Sequence, residues 1–142
     1  MASSKYSKYI LEDLTIPSQF SPEFNAWYNE HARRILWMDG DMVPGAFQLN
    51  VSWYFKPAVC LSESHVHDTD EVLGFFGSDP DDSHNLGGEL EYWIEDEKFI
   101  ITKSCLIFLP RGVRHCPQII TRVDRPIIHF GCVPTSQYKR LA

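Results

Sequence analysis

Basic side chains are in short supply, with 13 Lys and Arg against 19 Asp and Glu and a formal charge of −6. Such a chain repels phosphate backbones and has no surplus cations to displace counterions, so nucleic acid is not an expected partner. Long apolar runs are missing too. The longest, such as Cys105 to Pro110, fall far short of the roughly 20 residues that a bilayer-spanning helix needs, so no membrane insertion is expected. Behind Lys5 and Lys8 no apolar leader core follows, because Glu12 and Asp13 interrupt the next stretch, which points away from secretion. Cys60, Cys105, Cys116 and Cys132 are scattered without a Cys-x-x-Cys pair, and they read as reduced thiols of a cytoplasmic protein. There is no internal repeat and no low-complexity tract.

What is present fits one domain of 142 residues, whose 13% aromatic content can fill a core or build an aromatic pocket. Residues 1–45 differ in character from residues 46–142 and read as an N-terminal extension. Within it, Ser21 can cap a helix by accepting from a free backbone N–H, and Pro22 loses no bond at the first helical position. The helix is expected to run to about Arg34, with Phe24, Trp27, Tyr28 and His31 on one face. Ile35 to Met38 then read as a strand that stops at the turn dipeptide Asp39-Gly40. So aromatic a face needs a cover, from the main domain or a second subunit, and a homodimer paired through the extension is the expectation.

From Phe47 onward the pattern is β. Phe47, Leu49, Val51, Trp53 and Phe55 alternate with Gln48, Asn50, Ser52 and Tyr54, as in a strand with one face buried and the other on water or a cavity. Shorter runs follow at residues 71–76, 89–94, 99–102, 106–109, 118–121 and 127–133, divided by Gly, Pro, Asp or Asn. Many short strands at regular spacing predict an all-β sandwich or barrel. Residues 78–88, crowded with Asp, Asn and Gly, read as an exposed loop.

Chemistry concentrates in few residues. His65-Val66-His67 places two imidazoles two residues apart, on one face of a strand, where their nitrogens can converge. Glu71 can return a carboxylate to the same point if the strand bends, and His115 follows the turn sequence Pro110-Arg111-Gly112. Three imidazoles and one carboxylate suit a divalent transition metal, and they suit calcium or magnesium poorly because those prefer all-oxygen shells. Asn50, Ser52 and Tyr54 form a polar face that would line a pocket and bind substrate if turned inward. His129, opposite in parity to Ile128 and Phe130, faces either that cavity or solvent. His31 and His84 are assigned to structure or solvent, while Arg111 and Arg114 flank His115 and could meet a carboxylate.

The two patterns His65-x-His67-x3-Glu71 and Pro110-x-Gly112-x2-His115 resemble the conserved motifs of the cupin superfamily, over about residues 47–133. The resemblance implies an all-β double-stranded β-helix, or jelly-roll barrel, in which His65, His67, Glu71 and His115 hold one divalent transition metal. Fe is placed first, with Ni, Mn, Zn, Co or Cu as alternatives. The chain departs from the motif pattern at Ser104, Gly77 and Ile119, positions that shape turns and strand ends and leave the four ligands in place. The resemblance further implies a metal-dependent enzyme acting on a small oxygen-rich or anionic molecule, with Glu71 and His115 as catalytic groups. A dioxygenase is placed first. A non-redox isomerase, lyase, decarboxylase or specialised-metabolite cyclase and a non-catalytic ligand-binding cupin are the alternatives, because a fold does not choose a reaction.

Overall fold

The computed structural model describes residues 4–59 and 63–141, so Cys60 lies outside the described residues. Helix α1 (Pro22–His31) starts as the sequence predicts, with Ser21 Oγ accepting from Phe24 N at 3.1 Å and Pro22 at the first position. It ends three residues before the expected Arg34. Ala32 and Arg33 pair with Tyr54 and Trp53 instead, so strand β1 (Ala32–Met38) takes over where ladder bonds become available to the backbone.

The remaining strands are β2 (Gln48–Tyr54), β3 (Ala58–Val59), β4 (Glu71–Phe76), β5 (Asn85–Ile94), β6 (Glu97–Lys103), β7 (Cys105–Leu109), β8 (His115–Val123) and β9 (Ile127–Val133). They form a five-stranded sheet, in the order β1-β2-β9-β4-β7, and a four-stranded sheet, in the order β3-β8-β5-β6. Every pairing is antiparallel, and the sequence-distant neighbours are the crossings of a jelly roll. Between the sheets lie Phe75, Leu86, Leu90, Tyr92, Leu109 and Ile127, all at most 1% exposed. Burying each such apolar side chain contributes about 2 kcal/mol.

The loop expected over residues 78–88 is shorter than that, because Asn85 to Gly88 belong to β5 and Gly88 pairs with Val123. Its base is held by two of the positions that depart from the cupin pattern. Ser104 Oγ accepts from Gly77 N at 2.9 Å and donates to Ser83 O at 2.7 Å. A Cβ at Gly77 would lie 1.8 Å from Asn85 O, so only glycine fits there.

Strand β2 carries its polar residues inward: Gln48 and Ser52 are at most 1% exposed and Tyr54 5%, while Trp53 is 36% exposed. The outer face of the five-stranded sheet is correspondingly apolar. One register row reads Leu36, Val51, Phe130, Gly74, Leu106, and the next reads Met38, Leu49, Cys132, Val72, Phe108. A Cβ on Gly74 would sit 2.3 Å from the Phe130 ring, so the glycine lets that ring lie flat over the sheet, stacked on Phe76. The outer face of the other sheet is mixed, with Glu91 opposite Ile100, Trp93 opposite Lys98 and Glu89 opposite Arg122.

Candidate metal centre

Backbone pairing brings the three histidines together. His65 and His115 form an isolated antiparallel bridge, each N–H donating to the other's carbonyl at 3.0 Å, and Val66 pairs with Leu141 of the C-terminal tail. Strand β8 gains one residue over β5 between Tyr92 and Ile94, a bulge beside Cys116, whose φ is 75°. The bulge turns both His115 and Cys116 inward, where strict alternation would allow only one. Glu71 enters from the first residue of β4.

His65, His67, Glu71 and His115 are all buried. The histidines present ligand atoms within 4.8 Å of one another, and Glu71 Oε1 lies 3.6 Å from His67 Nε2 and 3.4 Å from His115 Nε2. Each ring is oriented from behind. Its Nδ1 meets a backbone carbonyl: Glu63 O at 2.8 Å for His65, Lys139 O for His67 and Val113 O at 3.1 Å for His115. A carbonyl only accepts, so Nδ1 carries the proton and Nε2 turns a bare lone pair to the common centre. His65 Nε2 and His67 Nε2 are buried with no hydrogen-bond partner among the described residues. Lone pairs facing one another and a carboxylate repel unless a cation lies between them. The donor set therefore fits a divalent transition metal.

The charges follow the same geometry. Burial pulls His65 down to about 4. Burial also opposes a charge on His67, yet the facing Glu71 carboxylate outweighs it and raises the ring above its ordinary value. Glu71 would be raised by burial, but His115 and His67 hold it down at about 2.

Of these groups His65, Glu71 and His115 share a cavity of about 120 Å³ with Asn50, Tyr54, Tyr92, Cys116, Gln118, His129 and Tyr138. Of the expected substrate-binding residues, Asn50, Tyr54 and His129 line it. Ser52 does not; its hydroxyl takes the proton of Tyr28 Oη at 2.5 Å and so ties the helix to the sheet. His129 is stacked between Tyr54 and Phe75, with Nδ1 donating to Gly74 O at 3.0 Å. Burial holds it down at about 4, so the ring is neutral at pH 7 and Nε2 is an acceptor. His31 is buried against Tyr54 and lines the cavity, whereas His84 is exposed. Arg111 and Arg114 lie outside the cavity, with Arg114 donating to Ser64 O at 3.2 Å.

Residues beyond the sequence reading complete the walls. Tyr92 shows the inward parity of β5, a signal that was available, and burial raises its hydroxyl well above the phenol range. Tyr138 packs edge-on to His67 at 5.0 Å and is pushed by burial up to about 12. It sits in an irregular tail, and no local pattern announces it.

No protein-family model and no curated protein matches the sequence. Solved structures do. An oxalate oxidase in complex with glycolate is 12% identical, covers 94% of this chain and 63% of its own, with a TM-score of 0.55. The DMSP lyase DddQ from Ruegeria pomeroyi is 17% identical, covers 86% and 55%, with a TM-score of 0.52. The fold is that of the cupins. A cupin from Shewanella frigidimarina aligns at 15% identity, covering 75% of this chain and 79% of its own, with a TM-score of 0.47. The chain spans 63% and 55% of the length of the first two, and no helix among its described residues is long and apolar enough to cross a membrane.

Proposed function

We propose that this cupin is a metal-dependent enzyme acting on a small oxygen-rich or anionic organic molecule at His65, His67, Glu71 and His115. The observation that carries the reading is the convergence of buried, partnerless imidazole nitrogens on one carboxylate inside a cavity. A bound divalent metal would supply Lewis acidity and, if redox-active, a path for oxygen chemistry. The chain's own part is fixed tautomers, one anionic ligand and a wall of hydrogen-bonding side chains. Asn50 Oδ1 already accepts from Gln48 Nε2 at 3.0 Å, which leaves its amide N–H groups for a substrate oxygen. Tyr54 and Gln118, 3.4 Å apart, add two further polar groups.

A dioxygenase is our first reading, supported by an aromatic surround that excludes water. The non-redox alternative has its own support, since the fold is shared by an oxalate oxidase and a DMSP lyase. Elemental analysis of purified protein, followed by metal exchange, separates them. We expect stoichiometric transition metal, lost in His67→Ala, and activity with Fe that vanishes without dioxygen and does not return with Zn. Turnover with Zn under strict anaerobiosis promotes the isomerase, lyase, decarboxylase or cyclase reading. Metal content unchanged in His67→Ala overturns the site, and tight ligand retention without turnover makes the protein a binding module. Among the described residues Cys105 and Cys132 are free thiols, which supports a cytoplasmic setting.

The homodimer belongs to the same proposal, with the interface placed on the outer face of the five-stranded sheet. Helix α1 already turns Tyr28 and His31 onto β2, so its aromatic face is engaged within the chain. The sheet's outer face is uncovered. Strands about 4.8 Å apart and rows about 7 Å apart give a flat footprint of roughly 500 Å². Two such faces bury roughly 1,000 Å², the lower bound of a stable interface. A net charge of −6 disfavours an anionic lipid surface, whereas a flat apolar sheet is complementary to itself across a two-fold axis.

A further inference from the structure

The most unusual charge in the molecule lies in the same cavity, on a residue the sequence reading passed over. Arg34 sits on β1 and pairs with Ser52, after which the register shifts before Leu36. That bulge lets both Arg34 and Trp37 face inward, and both line the cavity with Glu71 and His115. The guanidinium carbon is 4.9 Å from the Phe20 ring centre, 4.6 Å from Tyr28 and 5.3 Å from Trp37. Aromatic faces thus hold its plane in place. No carboxylate lies within ion-pair distance of it, and no hydrogen bond is made by its N–H groups, among the described residues. Among the described residues the only carboxylate lining the cavity is Glu71, which is engaged by the histidines.

A half-buried cation with an oriented fork and no anion is costly unless a ligand supplies the charge. We infer that Arg34 anchors the carboxylate of a small organic acid whose other polar end reaches the metal centre. This rests on the reading of the site as a metal centre. Arg140, the other guanidinium lining the cavity, donates to Tyr138 Oη at 3.0 Å, which leaves Arg34 to balance a single negative charge and favours a carboxylate over a phosphate dianion. A cavity of about 120 Å³ is close to the roughly 150 Å³ known to hold benzene, so the acid is of single-ring size. Phe20, Phe24 and Trp27 give it an apolar surface on the same wall.

The test is binding of benzoate, benzamide and inorganic phosphate to the purified full chain with its metal, followed by calorimetry and by Trp fluorescence, since Trp27 and Trp37 line the cavity. Wild type should bind benzoate at least tenfold more tightly than benzamide. Arg34→Met should erase that preference, and Arg34→Lys should keep part of it with an unchanged thermal midpoint, which guards against a folding defect in the first variant. Equal binding of benzoate and benzamide by wild type, or a preference that survives in Arg34→Met, overturns the anchor. Phosphate binding more tightly than benzoate overturns the assignment of a carboxylate. Metal content is measured in parallel: a benzoate preference that depends on Arg34 in protein without stoichiometric metal supports the anchor and overturns the metal reading alone.

Discussion

The two faces of the five-stranded sheet depart from what a water-exposed sheet ordinarily shows, since the inner one is mixed and the outer one apolar. Its inner face carries Gln48, Asn50, Ser52, Glu71 and His129, whereas its outer face carries Val51, Phe130, Leu106 and Phe108. An antiparallel sheet with one wet side normally alternates apolar-in and polar-out. The departure separates two demands on the interior, which holds a core of Leu73, Phe75, Leu109 and Ile127 and also presents donors and acceptors to a ligand. The four-stranded sheet makes the contrast sharper, since its outer face is laced with Glu89, Glu91 and Lys98.

The largest expected effect comes from the apolar part of the inner face. Phe75 is fully buried, so Phe75→Ala should cost about 4 kcal/mol in urea unfolding; a loss below about 1 kcal/mol would mean that the inner face is not packed as described. Next is acid. His129 is held at about 4 when folded and has an ordinary value near 6.5 when unfolded, with Arg34 and Glu71 nearby. Between those values the unfolded chain binds a proton that the folded chain refuses, so stability falls as pH drops from about 6.5 to 4, by up to about 3 kcal/mol. Denaturation midpoints of wild type and His129→Gln should converge toward acid pH, and parallel curves would refute the buried neutral ring. Glu71→Gln removes the one anionic ligand and should lower metal affinity by at least the 10- to 100-fold typical of an outer-shell loss, read by competition with a chelator. The smallest effect on folding belongs to the outer face. Phe108 is 60% exposed, so Phe108→Glu should change monomer stability by less than about 0.5 kcal/mol. It should nonetheless halve the mass seen by light scattering, and a variant that remains dimeric moves the interface elsewhere.

Much of the site was legible in the chain because short-range spacing carried it. The separation of His65 and His67 by one residue, the return of Glu71 and the turn before His115 are all local. The start of α1 was equally local, since Ser21 and Pro22 act on the turn that follows them. Arg34 was hidden because a helix was expected to extend to it and because a bulge, which no local pattern announces, turned it inward. Ser104 and Gly77 looked like departures from a motif, yet they hydrogen-bond to each other across 27 residues and rebuild the turn between them.

By itself, the sequence determined the period of the strands, the place of the helix cap and the chemical identity of the candidate metal donors, all of which depend on neighbours a few residues apart. Only the tertiary structure decided which face of β2 is inside, because a period of two is the same viewed from either side and the packing of the second sheet makes the choice. It also decided how His67 is held. The carbonyl that orients its ring belongs to Lys139, 72 residues away, and a contact of that range exists only once the C-terminal tail has paired Leu141 with Val66.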